Sequence, residues 1–405
     1  MSSSSSSSNN NDDEEEDYQS FNESYFTRIY EQEKMLSDKR RMDFYYNLVK
    51  KYVKASSKMT VLDVGTGTGV LACWSCLAGA SKVIAIDHSE KNIHLAATLA
   101  DNNNCQSIEF MVGHSSQFKC KKKVDMIIHE QIGDILFDEY MIETICDLRQ
   151  RVLKRGGKIV PSKFSLYIEP VQLDNDRHVS MMRNIQSHGL DFSCLQNLVE
   201  KPSENPDYYH FRSSDYSIVD HLLAEPSSCW NIDLHTIKNT VMSSDTTLQF
   251  TKTVTSKGRM DALCVYFQCN DDDESSNITN GPSKDRCSHW GMRFLRVPEM
   301  LCSKGDRLEI NISVEESWED LNSWRWNINK HSGDDTITAS SSSSLTTAPV
   351  DDGSTTSGIT FLSAAEIEAL RNNNDDSSSI GNSGNDKKKN VNDNGGGRKK
   401  KRRRK

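Results

Sequence analysis

Long apolar runs are missing from this sequence. No stretch approaches the ~18 consecutive apolar residues of a membrane span, so the reading is a chain without a spanning helix and without a membrane partner. The first residues lack a basic segment followed by an apolar one, so no secretory signal is read there. Apolar residues are thin at both ends. Residues 1–20 are serine, asparagine and acid, and residues 331–405 are mostly Ser, Thr, Asn, Asp, Gly and Lys. Such segments bury too little surface to offset chain ordering, and both are expected to be disordered. The cysteines number 11, an odd count with no paired pattern, which argues for free thiols in a reducing compartment. Cys73-x-x-Cys76 falls where a helix is expected and reads as packing.

What remains is ample for a core, and its charge is uneven. The net charge is −9, yet the chain closes on Arg398–Lys405, RKKKRRRK. The body is therefore acidic and suited to cationic substrates. The tail reads as a nuclear-localisation or nucleic-acid patch, that is, an importin or nucleic-acid contact.

The rest is organised around Val61–Gly69, VLDVGTGTG. A short apolar strand turns through Gly65, Gly67 and Gly69 into a helix start at Val70. Glycines suit a turn with positive φ that a ligand approaches closely, and the helix N-terminus offers free N–H groups. Lys82–Asp87, KVIAID, is a second strand ending in a carboxylate where a ribose hydroxyl would find a partner. The choice of cofactor lies between a dinucleotide and S-adenosylmethionine. The acidic entry at Asp63 points to the latter.

Two helices are expected over residues 21–58, then a helix at Lys91–Asp101 and strands at Ile108–Val112 and Val124–Ile128. A helix over Met141–Leu153 is read as stopping at Gly156-Gly157, before a strand at Lys158–Val160. This alternation predicts a doubly wound α/β domain over residues 21–160. From Phe164 the texture changes to short alternating runs, among them Leu248–Thr253, Ala262–Gln268, His289–Leu295 and Arg307–Ser313. They predict an all-β barrel or sandwich over residues 161–330. Within it, residues 177–223 carry apolar side chains without a clean period and read as an arm that packs on a partner chain.

His129–Met141, HEQIGDILFDEYM, follows the fourth strand, where ligands of an open α/β sheet sit. Three chemistries suit Glu130 and Glu139 there. They are a general acid/base pair, a metal site completed by Asp134 and Asp138, and a clamp on a planar guanidinium.

These motifs resemble those of the protein arginine methyltransferases, from about Phe21 to Ile328. VLDVGTGTGVL with KVIAID is similar to the family's cofactor motif, HEQIGDILFDEYM to its double-glutamate loop, KRGGKIVPSKFSLYIEPV to its domain crossing, and Ser288-His289-Trp290 to its Thr-His-Trp loop. The resemblance implies a Rossmann-like domain, then a β-barrel with a helical dimerisation arm. It also implies methyl transfer from S-adenosylmethionine to arginine guanidino nitrogens of Arg-Gly-rich or histone-like proteins. A homodimer of the nucleus or cytoplasm is implied, with no metal. Glu130 and Glu139 would grip the guanidinium, and His289 would pair with Asp38. Arg41 would meet the cofactor carboxylate and Asp87 the ribose, with Asp63, Gly65, Thr66, Gly67, His88 and Ser115 in the same set. Tyr25, Phe26 and Tyr30 resemble aromatics that fold over the cofactor, and Met35 and Met141 methionines beside the reacting nitrogen. Trp290 completes the substrate set. Two other functions stand beside this one: a methyltransferase with a non-arginine acceptor, and a non-enzymatic recruiting scaffold.

Overall fold

Continuous apolar runs make strands that are buried on both faces, and the first half of the chain uses them for a parallel sheet. The computed structural model describes residues 26–55, 58–174, 186–187, 190–191, 210–333, 335–341 and 343–347. Helices α1 (Ile29–Ser37) and α2 (Lys39–Tyr52) come first. Asp38 caps α2 by accepting from the Arg41 N–H at 3.1 Å. Phe44, Tyr45, Leu48 and Val49 form the buried stripe of α2. Then follow β1 (Thr60–Val64), α3 (Val70–Leu77), β2 (Lys82–Asp87), α4 (Glu90–Asn102), β3 (Ile108–Val112), β4 (Val124–His129), α5 (Met141–Arg151) and β5 (Leu153–Val160). The strand order is β3-β2-β1-β4-β5, all parallel, so the order reverses between β1 and β4. In open α/β sheets ligands bind at that reversal.

Gly156 and Gly157, expected as a helix stop, lie inside β5 instead. The helix ends at Arg151, and the β4–β5 register shifts beside the glycines. Gly156 has φ of 74°, and a Cβ on Gly157 would come within 2.9 Å of the Asp125 carbonyl oxygen. These are glycines of a strand irregularity, where backbone must approach backbone.

The second half is antiparallel. Its strands are β6 (Lys163–Leu173), the short pair β7 (Gln186–Ser187) and β8 (Leu190–Asp191), β9 (His210–Ser213), β10 (Val219–Leu222), β11 (Trp230–Asp233), β12 (Leu248–Thr253), β13 (Gly258–Asn270), β14 (Asn277–Thr279), β15 (Met292–Cys302), β16 (Arg307–Val314), β17 (Trp324–Ser332), β18 (Asp335–Ser340) and β19 (Ser343–Thr347). One sheet runs β10-β6-β13-β15-β9 with β11 and β14 attached, and the other runs β12-β16-β17-β18-β19. They curl into a barrel-like body. β16 and β17 alternate buried and half-buried residues, as strands with one face on a core must. Residues 335–347, expected within the polar tail, add β18 and β19 to the second sheet. Threonine and isoleucine supply the β-branched residues there, and Ala339 is fully buried. The strand expected from His289 starts at Met292, which leaves His289 in a loop.

Most of the expected arm, residues 1–25 and residues 348–405 lie outside the described residues, Tyr25 among them. Cysteines among the described residues are free, and no described helix is long and apolar enough to cross a membrane.

Candidate active site

The glycine turn after β1 has three left-handed residues, Gly65, Gly67 and Gly69, with φ of 67°, 52° and 81°. Gly69 caps α3, and a Cβ there would sit 2.7 Å from that of Ala96. Asp63 is fully buried beneath the turn, where its Oδ2 accepts from the Thr66 hydroxyl at 2.7 Å. Burial pushes its carboxyl up to about 7. Asp63, expected to touch the cofactor, thus braces the turn from below, while Thr66, itself buried, lines the cavity above. Asp87 ends β2 and accepts from the Gly67 N–H at 2.9 Å, the Ser89 N–H at 2.9 Å and Asn92 Nδ2 at 3.3 Å. A carboxylate has about four lone-pair positions, so one is left for a ligand hydroxyl.

Arg41 projects from the first turn of α2 to Glu130, just past β4. The two form an ion pair with side chains 8% and 9% exposed. Arg41 Nη1 also donates to the Met35 carbonyl at 3.2 Å, and its buried Nε has no partner. Glu130 and Arg41 come from elements 89 residues apart, which only the β1–β4 reversal brings together.

The loop from Glu130 to Glu139 is anchored by Phe137. Its ring is 1% exposed and lies against Trp230, Trp318 and Trp324 at 5.3, 6.0 and 6.5 Å between centroids. Gly133 permits a tight fold, because a Cβ there would fall 1.7 Å from Asp138 Oδ1. Glu139 ends the loop half-buried. Burial, then the Glu130 charge, with smaller contributions from Asp138 and Asp134, hold its carboxyl well above the usual range, against the pull of Arg41. Asp138 is pushed up to about 6, mainly by burial. His129, fully buried, meets the Pro161 carbonyl at 2.9 Å through Nε2, and burial takes it down to about 4.

Asp38 does not engage the His289 ring. Its Oδ2 accepts from the His289 backbone N–H at 2.9 Å, while the ring Nδ1 is buried without a partner. Burial lowers the His289 pKa, so the imidazole is neutral. The expected ring pair is therefore a backbone tether between α2 and the barrel loop. Trp290, expected at the substrate, is 2% exposed, donates Nε1–H to the Ile132 carbonyl and lines the second of the two cavities described below. Met141 is also a core residue, fully buried at the start of α5. Tyr30 is 61% exposed, with Lys34 Nζ 4.4 Å from its ring centroid. In each case the side-chain direction follows from packing that a local motif does not encode.

Two cavities meet at Glu139, His289 and Phe26. The first, about 740 Å³, carries Met35, Arg41, Gly65, Thr66, Gly67, Asp87, His88, Ser115 and Glu130 on its wall. The second, about 830 Å³, runs over Asp134, Asp138, Glu319 and Asp320 on the barrel side. Gln32, Asn92 and Glu143 are among the wall residues that the sequence does not single out. Gln32 is a buried polar residue on the inner face of α1, and that pattern was its only signal.

The first cavity suits a polar nucleoside ligand by size, within the ~300–1,000 Å³ of small-molecule sites. It also suits one by need. Buried Arg41 Nε, Asn92 Oδ1, Gln131 Oε1, Glu143 Oε2 and His289 Nδ1 all lack partners and belong to its wall. Asp134, which a metal reading would recruit, is engaged by Arg212 and Arg293 at 2.6 and 3.2 Å.

Known proteins share both halves. A family model described as ribosomal protein L11 methyltransferase matches residues 46–163. Another, described as the arginine methyltransferase oligomerization subdomain, matches residues 162–329. Protein arginine N-methyltransferase PRMT10 of Arabidopsis thaliana is 28% identical over 75% of this chain and 84% of its own. Protein arginine N-methyltransferase 6 of Danio rerio is 27% identical over 75% and 86%. The crystal structure of Arabidopsis thaliana protein arginine methyltransferase 10 covers 78% of this chain and 99% of its own, with a TM-score of 0.64 and 25% identity. The Trypanosoma brucei PRMT1 enzyme-prozyme complex with AdoHcy shares the fold, covering 78% and 98% of the two chains with a TM-score of 0.63 and 20% identity. With its cofactor half and its barrel half both matched, the chain is similar through both halves to the protein arginine N-methyltransferases.

Proposed function

We propose that this site transfers a methyl group from S-adenosylmethionine to a guanidino nitrogen of a protein arginine. The observation that carries the reading is the placement of Glu130 and Glu139. Glu130 is tied to Arg41 beside the first cavity, and Glu139 stands where the two cavities meet. The cofactor supplies an activated methyl on a sulfonium. Arg41, Asp87, Gly65 and Gly67 would hold it, with Gln131 and Asn92 adding unspent hydrogen-bonding atoms. Alignment of the acceptor nitrogen is then the protein's main task. Two carboxylates fit the fork of a guanidinium, and they draw positive charge to the gripped nitrogens, leaving electron density on the third. Neutral His289 lines the same junction, so a proton leaving the product has an imidazole and the Glu139 carboxylate within the site.

Arg-Gly-rich or histone-like substrates suit the acidic second cavity. Glu319 and Asp320 have no ion-pair partner among the described residues. The oligomer is proposed to be a homodimer, made through the subdomain that the barrel-half match names. Arg398–Lys405 is proposed as the nuclear or nucleic-acid address, with the nucleus and cytoplasm as the sites of action. The experiment that tests the acceptor uses two peptides, one Arg-Gly-rich and one with every arginine replaced by lysine. Transfer confined to the arginine peptide is expected. Transfer to lysine or to neither would remove the reading.

A further inference from the structure

The loop between the two glutamates is bound to the barrel by one residue whose role has been left open. Asp134 Oδ1 accepts from the Gly291 N–H at 2.7 Å, and Oδ2 from Arg212 Nε at 2.6 Å. Arg212 Nη2 reaches Oδ1 at 3.3 Å, and Arg293 Nε stands 3.2 Å from Oδ2. The backbone is engaged as well. Fully buried Asn280 donates to the Asp134 carbonyl at 2.9 Å and to the Gly291 carbonyl at 2.6 Å, and accepts from the Phe267 N–H at 2.8 Å. Arg212 Nη2 also donates to the His289 carbonyl at 3.3 Å. Gly291 is required by this arrangement, because a Cβ there would meet Arg212 Nε at 2.6 Å. The Asp134 side chain is 10% exposed, so the carboxylate end of these charge-assisted bonds is shielded from water, while Arg212, 43% exposed, meets it from the solvent side.

On either side of this knot stand the groups that would act on the substrate. Glu139 is five residues after Asp134, and His289 two residues before Gly291. We propose that Asp134 is a positioning residue, a carboxylate clasp that sets Glu139 against His289 across the mouth shared by the two cavities. The inference rests on the reaction proposed above. Displacing a reacting partner by about an ångström costs on the order of a hundredfold in rate, so a clasp spanning both loops acts on turnover more than on fold. Its charge acts as well. The Glu139 carboxyl is held high by burial, Glu130, Asp138 and then Asp134, against Arg41. Asp138 is raised by burial and then by Asp134, against Arg293.

Two variants and two readouts test the clasp. Asp134→Asn is expected to lower kcat by about tenfold or more, with cofactor Kd and peptide KM within about twofold. The acidic limb of its kcat/KM profile moves to lower pH, because a charge that raised Glu139 is gone. Gly291→Ala displaces Arg212 but keeps every charge, so it is expected to lower kcat without moving that limb. Hydrogen–deuterium exchange reads the clasp without turnover: residues 129–141 and 287–291 exchange faster in both variants while β1 to β3 do not. Unchanged kcat in both variants, or unchanged exchange, overturns the clasp. If the wild-type protein methylates no arginine, the reaction reading fails, and the exchange data alone decide the clasp.

Discussion

At the scale of residues, the site is a problem of carboxyl groups in a dry place. Glu139 keeps its proton to a higher pH than an ordinary glutamate because burial and Glu130 disfavour its charge. Arginine binding must then release that proton. Below the raised pKa, peptide affinity is expected to strengthen about tenfold for each pH unit upward and then level off. Glu139→Gln should bind peptide weakly with no such slope. Peptide KM across a pH series checks this, and a slope retained in the variant would assign the titration to another group. Asp63 gives a stability counterpart. Its folded pKa, about 7, lies above the ordinary 3.8, so its contribution is complete below the unfolded value and is lost as pH rises through the folded one. That loss amounts to about 4 kcal/mol across this window, as an order of magnitude. Denaturant midpoints of Asp63→Asn should fall less than wild type between pH 4 and 7.

The residues also show where sequence reading stops. Arg41, Asp87, Glu130 and Glu139 are positioned by strand ends and a helix start, features that local pattern specifies, and they meet as expected on the first cavity. Met141 and Tyr30 occupy matching motif positions, yet one is buried in the core and the other exposed to solvent. Asp38 reaches His289 through its backbone, because the carboxylate is already committed to capping α2.

At the scale of elements, strand positions were readable wherever apolar runs were bounded by turn residues. Ile108–Val112 and Leu248–Thr253 coincide with β3 and β12. Gly156-Gly157 reads as a helix stop because two glycines after a helical run look alike whether they end the helix or bend the next strand. β18 and β19 are not legible in the sequence because their serines and threonines match the composition of the polar tail around them. The loop between the glutamates depends on Phe137, which no periodicity marks. Its ring fills the space among three tryptophans of the barrel. Phe137→Ala is expected to cost about 3–5 kcal/mol and to reduce turnover further, by freeing the loop that carries Glu139. Paired denaturation and kinetics would check it. A stable variant with normal kcat would mean that the aromatic anchor is dispensable.

At the scale of the molecule, two unlike architectures converge on one site. A parallel sheet places Arg41 and Glu130 at its reversal, and an antiparallel body brings His289 and the acidic second cavity to the same mouth. The body is acidic and the tail basic within a net charge of −9, which separates substrate attraction from any address the tail carries. A dimer is expected at micromolar concentration, and light scattering giving a monomer's mass would count against it. Removal of residues from Lys387 onward is expected to alter location and leave peptide turnover intact.

The measurement that bears most directly on the central claim is a count of methylarginines after incubation with labelled S-adenosylmethionine and an Arg-Gly-rich peptide. It is made by acid hydrolysis and separation, for wild type and Glu130→Gln, with cofactor binding followed by calorimetry. Methylarginine from wild type and none from the variant, both binding cofactor, is the predicted result, and the product would also report mono- or dimethylation. Cofactor binding by wild type without any methylarginine, or equal yields from the two proteins, would contradict the account.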